Sequence, residues 1–75
     1  MKPHLAKRSF SLAGHRTSIA LEPDFWAALE DAARDRGIGL SALVVELDAA
    51  RAETSAPLAS TLRVFALRRA RGGPG

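Results

Sequence analysis

The sequence predicts a mostly α-helical chain that opens on one N-terminal β-strand and ends on a third, C-terminal helix. Three observations carry that expectation. Apolar and polar residues alternate with period two between Ser9 and Leu21. Hydrophobic residues then recur at helical spacing in three later stretches, and Pro23, Gly37 and Pro57 punctuate the seams between them. At 75 residues the chain makes one domain at most. With 47% hydrophobic and 25% charged residues, its composition is that of a folded protein and not of a disordered one.

Residues 1–8 show no usable period and are expected to form a flexible basic arm. In the strand, Phe10 and Leu12 alternate with Ser9, Ser11 and Ala13. After Gly14 and His15 the pattern resumes, with Thr17, Ile19 and Leu21 on one face and Arg16, Ser18 and Ala20 on the other. Gly14 suits a bulge, a bend or a turn, so residues 9–13 either extend the strand or fold back as a hairpin. Glu22-Pro23-Asp24 stops the strand and starts a helix, because proline fits the first helical turn and an acid suits its positive end. Phe25, Leu29, Ala32 and Ala33 then mark an apolar face, with Trp26 beside it, and Gly37 ends the helix after about thirteen residues. Leu40, Leu43, Val44, Leu47 and Ala50 give the second helix its stripe, and either Gly39 or Ser41 caps it. Ser55-Ala56-Pro57 is a further stop, after which Leu58, Leu62 and Phe65 mark a third helix running toward Arg71. The expected division is thus an arm at 1–8, a strand–helix–helix unit at 9–54, an amphipathic helix at 55–71 and a flexible tail at 72–75.

Several function classes are excluded or disfavoured by composition. The chain has no cysteine, so disulfide staples, thiolate metal sites and a cysteine nucleophile are all absent. His4 and His15 make no metal pair, no serine has a histidine–carboxylate context, and no glycine-rich phosphate loop of known spacing occurs. An enzyme is not expected, nor a metal or cofactor. No apolar run is long enough to span a membrane and no export signal is evident, which makes the cytoplasm the expected location. Charge is segregated: residues 1–21 carry +4 with no acid, residues 22–54 carry −5, and residues 55–75 carry +4 with no acid. Basic ends around an acidic middle suggest that particular surfaces meet an anionic partner.

A lone strand leaves its backbone groups open and templates pairing with another copy. A chain this short is also marginal alone. The simplest closed solution is a two-fold dimer in which each chain lends one strand to an intermolecular two-stranded antiparallel ribbon. Such a ribbon is about the size that enters a DNA major groove, with Arg16, Ser18 and Ala20 projecting outward.

The stretch HRTSIALEPDFWAALEDAARDRGIGLSALVVEL resembles the ribbon-helix-helix domain of Arc- and MetJ-type DNA-binding proteins, a match that covers residues 15 to about 50. AGHRTS upstream and LRVFAL downstream are similar to a bacterial subgroup of that family with an added third helix. The resemblance implies an intertwined homodimer whose ribbon lies in the major groove of double-stranded DNA, most simply a small transcriptional repressor. It carries base contact to Arg16, Ser18 and Ala20, with Arg16 the strongest reader because a guanidinium bonds guanine O6 and N7 together. Ala20 departs from the polar residue usual there and offers only apolar contact. The resemblance also implies a phosphate anchor at the start of the second helix, on the backbone of Leu40 and Ser41 with Gly39 allowing close approach. Lys7, Arg8 and His15 are further candidates for phosphate contact. Arg63, Arg68, Arg69 and Arg71 are expected chiefly to keep the last helix soluble. The alternative function is that of an antitoxin, in which Leu58, Leu62, Phe65 and Leu67 bind a protein partner. A purely structural dimerisation module is the third reading, disfavoured by the absence of acids from residues 1–21.

Overall fold

The computed structural model describes residues 4–51 and 53–72. Strands β1 (Ala6–Leu12) and β2 (His15–Leu21) are followed by helices α1 (Pro23–Asp35), α2 (Leu40–Arg51) and α3 (Leu58–Ala70). The two strands pair antiparallel within the chain, from Ala6↔Leu21 at the open end to Leu12↔His15 at the turn. The loop between them is only Ala13-Gly14, and both residues have positive φ, 52° and 83°. That is the backbone of a type I′ turn, whose twist matches the twist of the flanking strands.

The hairpin decides one open alternative and corrects one expectation. Residues 9–13 fold back and do not extend the strand, because the tight turn at Gly14 returns β1 along β2 to make a two-stranded ribbon within the chain. Residues 6–8, expected within a flexible arm, belong to β1 and pair with Leu21, Ala20 and Ile19. Arg8 had masked the period there, since a charged residue occupies a half-buried position on the inner face. The tail positions 73–75 lie outside the described residues.

Alternation divides the hairpin into two faces. Phe10, Leu12, Ile19 and Leu21 point inward and are buried. They meet Trp26, Leu29, Ala32 and Ala33 of α1, Leu43 and Val44 of α2, and Leu58, Leu62 and Ala66 of α3 in one core. Trp26 fastens the hairpin to α1: its ring lies 5.8 Å from that of Phe10 and its Nε1–H donates to the Ala6 carbonyl at 2.7 Å. Tryptophan is suited to that place because it buries a large apolar body while its one donor finds a partner.

The helix boundaries follow from their caps. Pro23 opens α1, and the Glu22 carbonyl accepts the Phe25 and Trp26 N–H groups. Gly37, at φ 70°, closes α1: its N–H donates to the Arg34 carbonyl and the Ile38 N–H to the Ala33 carbonyl. This is the paired 5→2 and 6→1 closure that a left-handed residue after a helix permits. The same turn launches α2, whose first bond runs from the Leu43 N–H to the Gly39 carbonyl.

The third helix is part of the same core, not an appendage to a unit at 9–54. Leu58, Leu62 and Ala66 are buried and Phe65 packs against them. Two ion pairs reinforce the contact with α1: Arg63 Nε donates to Glu22 Oε1 at 3.0 Å, and Arg69 pairs with Asp35. These two arginines hold the helix in place and do more than keep it soluble. Within one chain Leu5, Val45, Val64 and Leu67 stay exposed outside this core, and no buried side-chain polar atom among the described residues lacks a partner.

Candidate nucleic-acid interface

The side of the hairpin away from the core is a row of short polar and basic residues. By register, Lys7 stands across from Ala20, Ser9 from Ser18 and Ser11 from Arg16. All are exposed except Ala20, which is half-buried, and none is acidic. The strand period alone produces this surface, since every second residue of each strand must face away from the core.

Hydrogen bonding along the ladder sharpens the geometry. A two-residue turn makes Leu12↔His15 a hydrogen-bonded pair, so the outward pairs Lys7↔Ala20, Ser9↔Ser18 and Ser11↔Arg16 are the non-bonded ones. In such pairs the side chains approach most closely. Accordingly the Ser9 and Ser18 hydroxyl oxygens lie 3.0 Å apart, in hydrogen-bond contact. The backbone N–H and C=O groups of Arg16, Ser18 and Ala20 then point away from β1, along the free edge of β2.

Ion pairing separates the cations that hold the fold from those that remain available. Arg8, Arg34, Arg36, Arg51, Arg63 and Arg69 each pair with a carboxylate. Lys7, Arg16, Arg68 and Arg71 are the lysine and arginines among the described residues with no such partner. The two of these that the hairpin carries both lie on its outward face. Arg8 lies on the inner face, 2.6 Å from Glu30 Oε2 and 5.0 Å from the Trp26 ring centroid. It braces β1 against α1, and its guanidinium is already engaged.

The remaining predicted contacts occupy separate places. His15 is exposed beside the turn. Gly39 and Ser41 are exposed and Leu40 half-buried at the start of α2, where first-turn N–H groups lack intrahelical partners. The structure thus unites Lys7, Arg16, Ser18 and Ala20 on one face, keeps the α2 terminus as a second locus, and sets Arg8 apart from both. Sequence reasoning missed Ser9 and Ser11 as members of the outward row. The signal was present: Lys7, Ser9 and Ser11 alternate with Arg8, Phe10 and Leu12 on the far side of a two-residue turn.

Among the described residues no cluster of histidine and carboxylate groups could hold a metal ion, and no helix is long and apolar enough to cross a membrane. No curated protein and no solved structure is significantly similar to the chain. A family model described as a ribbon-helix-helix domain matches residues 5–70, nearly the whole chain and all five of its elements. With its polar two-stranded ribbon followed by packed helices, the chain belongs to the ribbon-helix-helix family, a DNA-binding, non-enzymatic fold found in transcription regulators and antitoxins.

Proposed function

We propose that this chain is a sequence-selective DNA-binding protein acting in the cytoplasm as a homodimeric transcriptional repressor, with the outward face of its ribbon in the major groove. The observation that carries the reading is the placement of both unpaired hairpin cations, Lys7 and Arg16, on an acid-free polar face. Arg16 reads guanine, Ser18 donates to or accepts from a base edge, and Ala20 packs against a thymine methyl. The backbone of Gly39, Leu40 and Ser41 and the His15 side chain contact phosphate and set the register.

Repression is favoured over toxin neutralisation by the state of the last helix. Leu58 and Leu62, half of the candidate partner surface, are buried in the chain's own core, and Phe65 packs on it. Only Leu67 of that set remains well exposed.

Binding to the DNA upstream of its own gene and to a scrambled duplex, across a salt series, tests the reading. A preference for the upstream fragment that persists at about 200 mM salt is expected of a specific repressor. Arg16→Ala should weaken that specific binding by about 1–3 kcal/mol and relax selectivity. Equal, steeply salt-dependent binding to both duplexes by the unsubstituted protein would overturn it.

A further inference from the structure

We propose that β1 is a second reading strand: Lys7 reaches over Ala20 to a base edge, and Ser9 positions the hydroxyl of Ser18. The proposal rests on the reading that the ribbon enters the major groove, and it adds residues that β2 does not supply. On its own, β2 presents one arginine, one serine and one alanine per chain, which is a thin code for a selective protein.

The cross-strand register adds one reader and one positioning residue to that code. Alanine is the only outward residue of β2 without a polar group, and its partner is the only lysine on the face. A methyl side chain leaves space above it, while the four-carbon stem of lysine spans more than the distance between neighbouring strands. An ammonium delivered there can bond guanine O6 or N7, restoring a polar contact at the Ala20 end of the ribbon. No carboxylate among the described residues draws Lys7 away, in contrast with Arg8 beside it.

Ser9 acts differently. A serine hydroxyl has one proton and rotates freely, so Ser18 alone discriminates weakly between a base donor and a base acceptor. With Ser9 Oγ held 3.0 Å from Ser18 Oγ, one of the two hydroxyls donates and the other accepts in the shared hydrogen bond. The Ser18 rotor is thereby restricted, and its remaining capacity toward the base is set by its neighbour. Ser9 is a positioning residue in this scheme, touching DNA through Ser18.

Selection from a randomised duplex library, followed by salt titration on the winning sequence, tests both parts in the full chain. Lys7→Ala should reduce preference at a base pair distinct from the one that Arg16→Ala affects, by about fivefold or more. Ser9→Ala should reduce preference at the base pair that Ser18→Ala affects, by about two- to tenfold. The double variant should lose no more selectivity than Ser18→Ala alone, and Ser9→Thr, which keeps the hydroxyl, should retain the preference. The proposal is overturned if Lys7→Ala weakens all sequences alike with a shallower salt slope, which marks a phosphate contact, or if Ser9→Ala leaves base preference intact while Ser18→Ala alters it. If Arg16→Ala and Ser18→Ala also leave preference unchanged, the ribbon reading itself fails and takes this proposal with it.

Discussion

Ala13 is the one described non-glycine residue with a positive φ, and it occupies the first position of the turn that makes the hairpin possible. An L-residue with a Cβ is disfavoured there by about 1–2 kcal/mol, whereas asparagine tolerates the conformation through local hydrogen bonding. Ala13→Asn is therefore expected to stabilise the protein, by up to about 1 kcal/mol, seen as a higher urea midpoint with an unchanged slope. Gly14→Ala should act in the opposite sense. A Cβ built on Gly14 meets nothing within 4 Å, so the cost of about 1–2 kcal/mol is conformational and not steric. If both substitutions left the midpoint where it is, the turn would not have the left-handed geometry on which the whole outward face depends.

At the scale of elements, the joint between the strand, α1 and α3 is electrostatic as well as apolar. Glu22 ends the hairpin and caps α1, while its carboxylate accepts from Arg63 of α3 and the Arg63 guanidinium lies 5.9 Å from the Phe25 ring. A hydrogen bond from its own backbone, and then the Arg63 guanidinium, hold the Glu22 carboxyl below its ordinary pKa. A carboxylate with a lowered folded-state pKa contributes stability that is complete above the ordinary carboxylate range and is lost as pH falls through the folded value. The unsubstituted protein should therefore lose stability on acidification more steeply than Glu22→Gln, and denaturant titrations over a pH series compare the two directly. Parallel profiles would remove Glu22 from the joint. The elements themselves were legible because their signals are local: Pro23 and Gly37 bracket a thirteen-residue α1, as expected from the sequence. Two features were not. Ala13-Gly14 is a weak turn signal beside Asn-Gly, so the fold-back of β1 competed with an extended strand. The stripe of Leu58, Leu62 and Phe65 shows that α3 buries a face, but periodicity names no partner, and its docking on its own chain depended on contacts distant in sequence.

For the whole molecule, a single chain leaves surfaces that a second copy can cover. Trp26 and Leu21 are buried within one chain, whereas Val45, Val64 and Leu67 stay exposed. Both edges of the two-stranded sheet are open, and along the outer edge of β2 the N–H and C=O groups of Arg16, Ser18 and Ala20 point away from β1. Antiparallel pairing of that edge with its copy, centred on Ser18, would match hydrogen-bonding groups on both strands and place two outward faces side by side. Ala20→Pro isolates this contact. Proline removes the Ala20 N–H, which faces away from β1, so the hairpin keeps its own ladder while the edge loses a donor at two symmetric positions. Sedimentation should show the unsubstituted protein as a dimer and Ala20→Pro as a monomer with the same helical circular dichroism. Its DNA binding should keep only roughly half the salt dependence, because one chain then supplies the phosphate contacts of two. A folded Ala20→Pro variant that still sediments as a dimer would move the interface away from the β2 edge. An unsubstituted protein that is monomeric at the concentrations where it binds DNA would end the homodimer reading, leaving a single hairpin as the DNA-reading unit.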